Sequence, residues 1–178
     1  MGCLRWDNCF TASYFCNWSR KSWLEAMAAT WSDQFSAIRA CKDYIELCLL
    51  YTSSRLYYFD GKIRQVTMDH SLVEELVRAG EIDRSESRNH PQKNIITKAV
   101  GVAEDIQPDF FIVDMEEGSS LLLCSDGLTN MVDDEKLEEI LSEDCTEEEY
   151  AGKCIEEALF YGGLDNIAVV IARNRSGR

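Results

Sequence analysis

Leu121-Leu122-Leu123-Cys124-Ser125-Asp126-Gly127 is the stretch whose reading decides the fold. Four apolar residues in a row make a strand buried on both faces, because a strand with one wet face alternates polar with apolar. The run then breaks into Ser-Asp-Gly, a polar turn with one carboxylate and one residue free to take positive φ. A charge at the tip of a buried strand is held rigidly by the layer behind it, as a metal-binding or catalytic carboxylate requires. Alone the signal is weak, since Asp-Gly after a strand is most often only a turn.

A second stretch strengthens it. Gly162-Gly163-Leu164-Asp165-Asn166 leads into Ile167-Ala168-Val169-Val170-Ile171, another apolar strand introduced by glycines, an Asp and an Asn. The glycines also suit the plainer role of a helix C-cap and loop. Still, two buried strands now each carry an acid at one end, with helical sequence between them. Set side by side, they would bring Asp126 and Asp165 onto one hard cation.

Outward from these stretches the chain is locally consistent. Leu56–Phe59 and Lys62–Thr67 flank Asp60-Gly61, a two-residue hairpin signal. Ser71 to Glu74 is a capping box, and the helix it opens stops at Gly80. Ser85 to Asn89 reads as a short helix ended before Pro91. Phe110–Met115 reads as a strand, Glu116-Glu117-Gly118 as a turn, and Ser120–Ser125 as its antiparallel partner. Helices follow at Asp134–Leu141 and Thr146–Tyr161, the second with its own box from Thr146 to Glu149, and Ile167–Ala172 closes as a strand. The acid runs at 133–135 and 147–149 start helices, where the dipole favours them. Earlier, apolar residues at Met27, Trp31, Phe35, Ile38, Cys41 and Ile45 recur at near-helical spacing and predict an amphipathic helix. Hairpins followed by helices, without regular β-α-β alternation, indicate an α+β fold with antiparallel sheets.

Composition divides the chain. The net charge of −14 over 178 residues argues against nonspecific binding to nucleic acid or an anionic membrane. Residues 1–50 hold 5 basic and 5 acidic side chains, so residues 51–178 carry the whole −14. All four tryptophans lie at or before Trp31, and Gly2 alone of the ten glycines lies in the first fifty residues. This break predicts two units: an N-terminal segment 1–50, chimeric or read out of frame and docking irregularly, and a domain portion 51–178. The cysteines show no Cys-x-x-Cys pair, which argues against zinc, and no stretch reaches membrane-spanning length. A reducing cytoplasm is the expected location.

Six pieces, in order, carry a family resemblance: Asp69-His70-Ser71-Leu72-Val73, Arg78-Ala79-Gly80-Glu81-Ile82, Asn89-His90-Pro91-Gln92-Lys93-Asn94, Thr97-Lys98-Ala99-Val100-Gly101, Leu123-Cys124-Ser125-Asp126-Gly127-Leu128-Thr129 and Gly163-Leu164-Asp165-Asn166. The span from about Arg55 to Ala172 resembles the C-terminal part of the metal-dependent protein phosphatases, the PPM or type 2C serine/threonine family, in wording closest to its bacterial branch. The resemblance implies an incomplete β-sandwich of antiparallel sheets flanked by helices, with 70–101 as a flap. It also implies hydrolysis of phosphoserine and phosphothreonine in proteins with two Mg²⁺ or Mn²⁺ ions, opposing a serine/threonine kinase. By match to its motifs, Asp126 and Asp165 are metal ligands, and Asn166 orients Asp165 or a bound water. His70 and His90 are expected as turn or flap residues rather than general acids. The family's Arg-x-x-Asn/Glu-Asp and Asp-Gly-x-Gly-Gly motifs are absent, and Thr52 and Ser53 replace the Gly and Asp of its Gly-Asp-Ser-Arg. One wall of the site is therefore kept and the other lost. Two readings follow: a phosphatase represented by part of its domain, or a shortened, inactive binding or regulatory module.

Overall fold

The computed structural model describes the backbone of residues 3–6, 9–12, 24–29, 35–40 and 44–49, and in full residues 54–87, 90–93, 95–97 and 109–174. Among the described residues, ten strands build two sheets. The strands are β1 Cys3–Trp6, β2 Cys9–Ala12, β3 Leu24–Ala29, β4 Phe35–Ala40, β5 Tyr44–Leu49, β6 Arg55–Phe59, β7 Ile63–Gln65, β8 Asp109–Asp114, β9 Ser120–Cys124 and β10 Ile167–Arg173. The helices are α1 Leu72–Ala79, α2 Arg84–Ser87, α3 Asp126–Thr129, α4 Asp134–Ser142 and α5 Glu147–Phe160. The larger sheet runs β1-β2-β10-β9-β6-β7 and the smaller β3-β4-β5-β8. Among the described strands the pairings are antiparallel except that of β10 with β2.

β9 lies at the centre, and all five of its residues are buried, as its unbroken apolar run requires. On one face Leu122 and Cys124, with Tyr57, Phe59, Val169 and Ile171 of neighbouring strands, pack under α4 and α5 through Leu137, Ile140, Leu141, Tyr150, Cys154 and Ile155. On the other face Leu121 and Leu123, with Leu56, Tyr58 and Val170, meet Met115, Phe111 and Val113 around the smaller sheet. The result is an α+β sandwich of two sheets with helices outside.

The helix boundaries follow the expected signals. Ser71 caps α1, its Oγ accepting from the Glu74 N–H at 3.2 Å, while the Glu74 carboxylate turns to Arg84 at 2.7 Å rather than completing the box. Gly80 ends the helix at φ 73°, where the Glu81 N–H donates to the Leu76 carbonyl at 3.0 Å. At α5 both halves of the Thr146–Glu149 box form.

Four expectations are corrected. First, residues 24–49 form three strands, not an amphipathic helix. Ile45, Leu47 and Leu49 also alternate at period two, and pairing of β5 along the whole of β8 selects the extended form. Second, the described residues among the first fifty do not dock irregularly: β2 lies beside β10 and β5 beside β8, so they contribute strands to both sheets. Third, β8 and β9 are not hairpin partners. β9 is flanked on both sides by β10 and β6, so the turn at 116–118 carries the chain from one sheet to the other. Asn174 anchors that crossing, its Nδ2 donating to the Met115 carbonyl at 2.8 Å and its N–H to that of Ser119 at 2.9 Å. Fourth, the register of β6 and β7, with Phe59 opposite Ile63, leaves a loop of three residues rather than two, with Gly61 at φ 99°. Of the motif residues, Thr52, Ser53, Asn89, Asn94 and Lys98–Gly101 lie outside the described residues.

Candidate metal centre

Strand register decides which residues gather at one end of the larger sheet. Cys124, the last residue of β9, sits opposite Val169 of β10 on one side and Arg55 of β6 on the other. The chain leaving β9, the chain entering β10 and the start of β6 therefore emerge together. Ser125-Asp126-Gly127 and Asp165-Asn166 are neighbours there, although 39 positions separate the two acids in the sequence.

Each residue of the Ser-Asp-Gly motif has a distinct task. Ser125 extends the ladder past the strand end, its N–H donating to the Ala168 carbonyl at 3.0 Å. Its hydroxyl donates to the Asn166 carbonyl at 2.9 Å and accepts from the Ala168 N–H at 3.0 Å, which staples the two segments. Asp126 begins the short helix α3 and is half-buried. Gly127 does not take positive φ, against the expectation. It sits inside α3, and a Cβ there would lie 2.3 Å from the Asn166 carbonyl oxygen and 2.8 Å from its carbon. The glycine is needed because the backbone of Asn166 crosses it.

On the facing segment, Gly162 and Gly163 take φ of 117° and 52° and turn the chain out of α5. Asp165 follows, exposed, its Oδ1 accepting from the Asn166 N–H at 2.7 Å, which fixes the carboxylate's orientation. Asn166 is exposed as well, and its carbonyl is the acceptor for Ser125. The segments bearing the two expected ligand carboxylates, Asp126 and Asp165, are thus locked together by backbone contact.

Arg55 adds a fixed charge at the same end. Its Nε donates to Asp69 Oδ1 and Oδ2 at 2.9 and 3.0 Å, Nη2 pairs with the same carboxylate, and Nη1 reaches the Tyr57 hydroxyl at 3.2 Å. Burial is the largest single influence and disfavours the cation, but the hydrogen bonds and charge of Asp69 together with the contact to Tyr57 outweigh it and hold the guanidinium more firmly protonated than usual. Gln65 Nε2 completes the grip on Asp69 Oδ1 at 2.9 Å. Burial pushes the Tyr57 phenol above its usual range, so it stays a neutral donor, here to Asp134 Oδ1 at 3.0 Å. Burial likewise pushes up the Cys124 thiol, which packs as a small apolar residue against the Arg55 carbonyl.

The remaining sequence-marked groups stand apart. His70 pairs with Asp109 and, with Met68, Asp69, Thr97 and Phe110, lines a cleft of about 380 Å³ between α1 and β8. His90 Nδ1 accepts from the Gln92 N–H at 3.2 Å, a local turn contact. Sequence reasoning missed the Ser125 staple and the Arg55–Asp69 fork. Both residues of the fork stand in the motifs quoted above, but nothing local ties one to the other across 14 positions.

No protein-family profile matches the chain. A serine/threonine phosphatase of Listeria monocytogenes is 50% identical over 119 residues, which cover 66% of this chain and 47% of the relative. The solved serine/threonine phosphatase of S. agalactiae superposes with a TM-score of 0.73 at 36% identity, over 80% of this chain and 59% of the other. The catalytic domain of the serine/threonine phosphatase PstP, solved with two manganese ions, superposes with a TM-score of 0.67 at 31% identity, over 79% of this chain and 57% of the other. This chain spans about half the length of the curated relatives it matches. Matched in sequence and in fold over two thirds or more of its own length, it belongs to the metal-dependent serine/threonine protein phosphatase family, PPM or type 2C.

Proposed function

We propose that residues 51–178 carry one wall of a two-metal site that, when whole, hydrolyses phosphoserine and phosphothreonine in proteins. The observation that supports the reading is the interlock of Ser125-Asp126-Gly127 with Asp165-Asn166, a rigid backbone frame at one sheet end bearing two carboxylates. Carboxylate oxygens suit hard divalent ions, so the donor set fits Mg²⁺ or Mn²⁺, with Asp126 and Asp165 as ligands and Asn166 orienting Asp165 or a water. When bound, such ions supply an acidified water and a clamp for phosphoryl oxygens. The natural substrates in this reading are phosphoproteins made by a serine/threonine kinase, in the cytoplasm. No helix among the described residues is long and apolar enough to cross a membrane.

A second reading is favoured by one observation: the sequence contains no Asp-Gly-x-Gly-Gly, the family's source of a ligand to both ions. On that reading the chain is a binding or regulatory module that holds a cation weakly and does not turn over. One experiment tests the metal site that both readings share. The 178-residue chain is titrated with Mn²⁺ and assayed on a phosphothreonine peptide, with Asp126→Asn and Asp165→Asn alongside. We expect weak Mn²⁺ binding lost in either variant, and turnover hardly above background. Robust Mn²⁺-dependent turnover overturns the half-site reading. Binding that survives both substitutions removes the two aspartates from the site.

A further inference from the structure

The loop between α4 and α5 brings three reactive side chains together. Lys153, on the second turn of α5, donates from Nζ to the Cys145 sulfur at 3.1 Å and also pairs with the Glu143 carboxylate. Glu143 Oε2 lies 3.7 Å from the same sulfur. Contacts independent of Lys153 hold this arrangement. The Tyr150 hydroxyl donates to the Glu143 carbonyl, and the Thr146–Glu149 box fixes the backbone immediately after Cys145. A nucleophile and its partner held this way react as if at high local concentration.

Among the cysteines whose side chains are described, access singles out the same sulfur. Cys124 and Cys154 are buried at 2% and 0% exposure, and burial pushes the Cys154 thiol up to about 12 and the Cys124 thiol higher still. Such thiols are inert to oxidants. Cys145 is half-buried at the surface, in contact with an amine.

We propose that Cys145 and Lys153 form a modification site, at which a peroxide converts the contact into a covalent sulfur–nitrogen bridge. In the first step one peroxide oxygen transfers to sulfur. The thiol becomes a sulfenic acid, oxidised by two electrons, and the peroxide is reduced to water. In the second step the Lys153 nitrogen gives its lone pair to sulfur, the N–S bond forms and the S–O bond breaks. The ammonium loses two protons: one, taken by Glu143, leaves with the hydroxyl as water, and the other is released to solvent. No further electrons move. The product is a sulfenamide, lighter than the parent by two hydrogens, with one positive charge removed from α5. Glu143 first and Cys145 second hold Lys153 more firmly cationic than usual, so the nitrogen attacks only after the adjacent Glu143 carboxylate has taken a proton from it.

The test treats the purified 178-residue chain with hydrogen peroxide and maps its peptides by mass spectrometry, with Cys145→Ser and Lys153→Met alongside. An intramolecular disulfide also loses two hydrogens, so the peptide map decides and not the intact mass. The expected result is a linked peptide joining Cys145 to Lys153, reversed by dithiothreitol and absent from both variants. In Lys153→Met the sulfenic acid persists and is captured by dimedone. The proposal is overturned if the parent chain shows Cys145 only as a dimedone adduct, a sulfinic acid or a disulfide, with no Cys145–Lys153 peptide.

Discussion

β8 and β9 are joined by a short turn, both are apolar, and they meet opposite environments. Every residue of β9 is buried, whereas β8 alternates, with Phe110 and Ile112 at 74% and 70% exposure. The difference lies in the layers against them. β9 has strands on both sides, α4 and α5 over one face and the β8 side of the smaller sheet under the other. β8 is an edge strand, and its buried-side residues Phe111 and Val113 touch the inner core while Phe110 and Ile112 point away from it. Double burial is thus conferred by neighbouring layers, and a run of apolar residues permits it without establishing that both layers exist. β8 marks the limit of that signal: Phe110-Phe111-Ile112-Val113 is an equally unbroken apolar run, yet burial alternates along it because, among the described residues, one layer alone packs against the strand.

The largest expected effect breaks this contrast directly. Leu122→Ala removes a fully buried side chain between β9 and the helices and should cost about 2–5 kcal/mol, because the sealed site cannot collapse around the cavity. Ile112→Ala on the exposed face should fall within about 0.5 kcal/mol of the parent. Urea denaturation of the two variants gives both numbers, and similar losses would mean that the outer face of β8 is covered in solution.

Gly127→Ala comes next. It drives a methyl group into the Asn166 backbone, which is rigid because Ser125 staples it, so overpacking by about 1–3 kcal/mol is expected. Unlike Leu122→Ala, it should also weaken Mn²⁺ binding by displacing the Asp165 segment. Equal affinity in Gly127→Ala and the parent would separate the interlock from the candidate metal site.

These positions also show where sequence reading succeeds. The Leu121–Cys124 run announced a doubly buried strand and the neighbouring layers supplied both covers, whereas the equally unbroken Phe110–Val113 received one. Ser71, Gly80, Thr146 and Glu149 announced their helix ends because capping is local chemistry, completed within a few residues. The β8–β9 hairpin failed for the opposite reason: which strand pairs with which is fixed by sheet-wide competition, and a short polar turn fits a hairpin or a crossing between sheets equally well. Residues 24–49 failed because apolar positions about four apart fit a helix face and also one face of a strand read every second turn. Asp126 and Asp165 came through resemblance, yet the physical reason for Gly127 lay in a backbone contact that no local pattern contains.

Asp69→Asn tests the fastening of the segment after β7 to the start of β6, beside the end of β9. The substitution keeps the shape but removes the charge that Arg55 grips with a fork of hydrogen bonds. Part of that pair is open to solvent, at 24% and 19% exposure, so a loss of about 1–2 kcal/mol is expected. Hydrogen exchange should quicken at residues 66–70 while Leu122 and its neighbours stay protected. Loss of protection across β9 as well would show that the fork supports the sealed strand itself.

The smallest effect concerns the helix that makes β9 differ from β8. α5 begins with the Thr146–Glu149 box, in which the Glu149 carboxylate accepts from the Thr146 N–H at 2.8 Å and from its hydroxyl at 2.9 Å. Those bonds, the backbone one first, hold the Glu149 carboxyl below its ordinary value. A carboxyl with a depressed folded pKa contributes stability that is fully present above its unfolded value, about 4.3, and fades as the pH falls through the lower folded value. Glu149→Ala should therefore be less stable than the parent at neutral pH, and the gap between their urea midpoints should close as the pH drops below about 4. Both chains retain Glu143 and Lys153, so that pair cancels from the difference. A gap that stays constant with pH would assign the loss to the helix backbone rather than to the charged cap, and the outer cover of β9 would then owe nothing to the ionisation of its first turn.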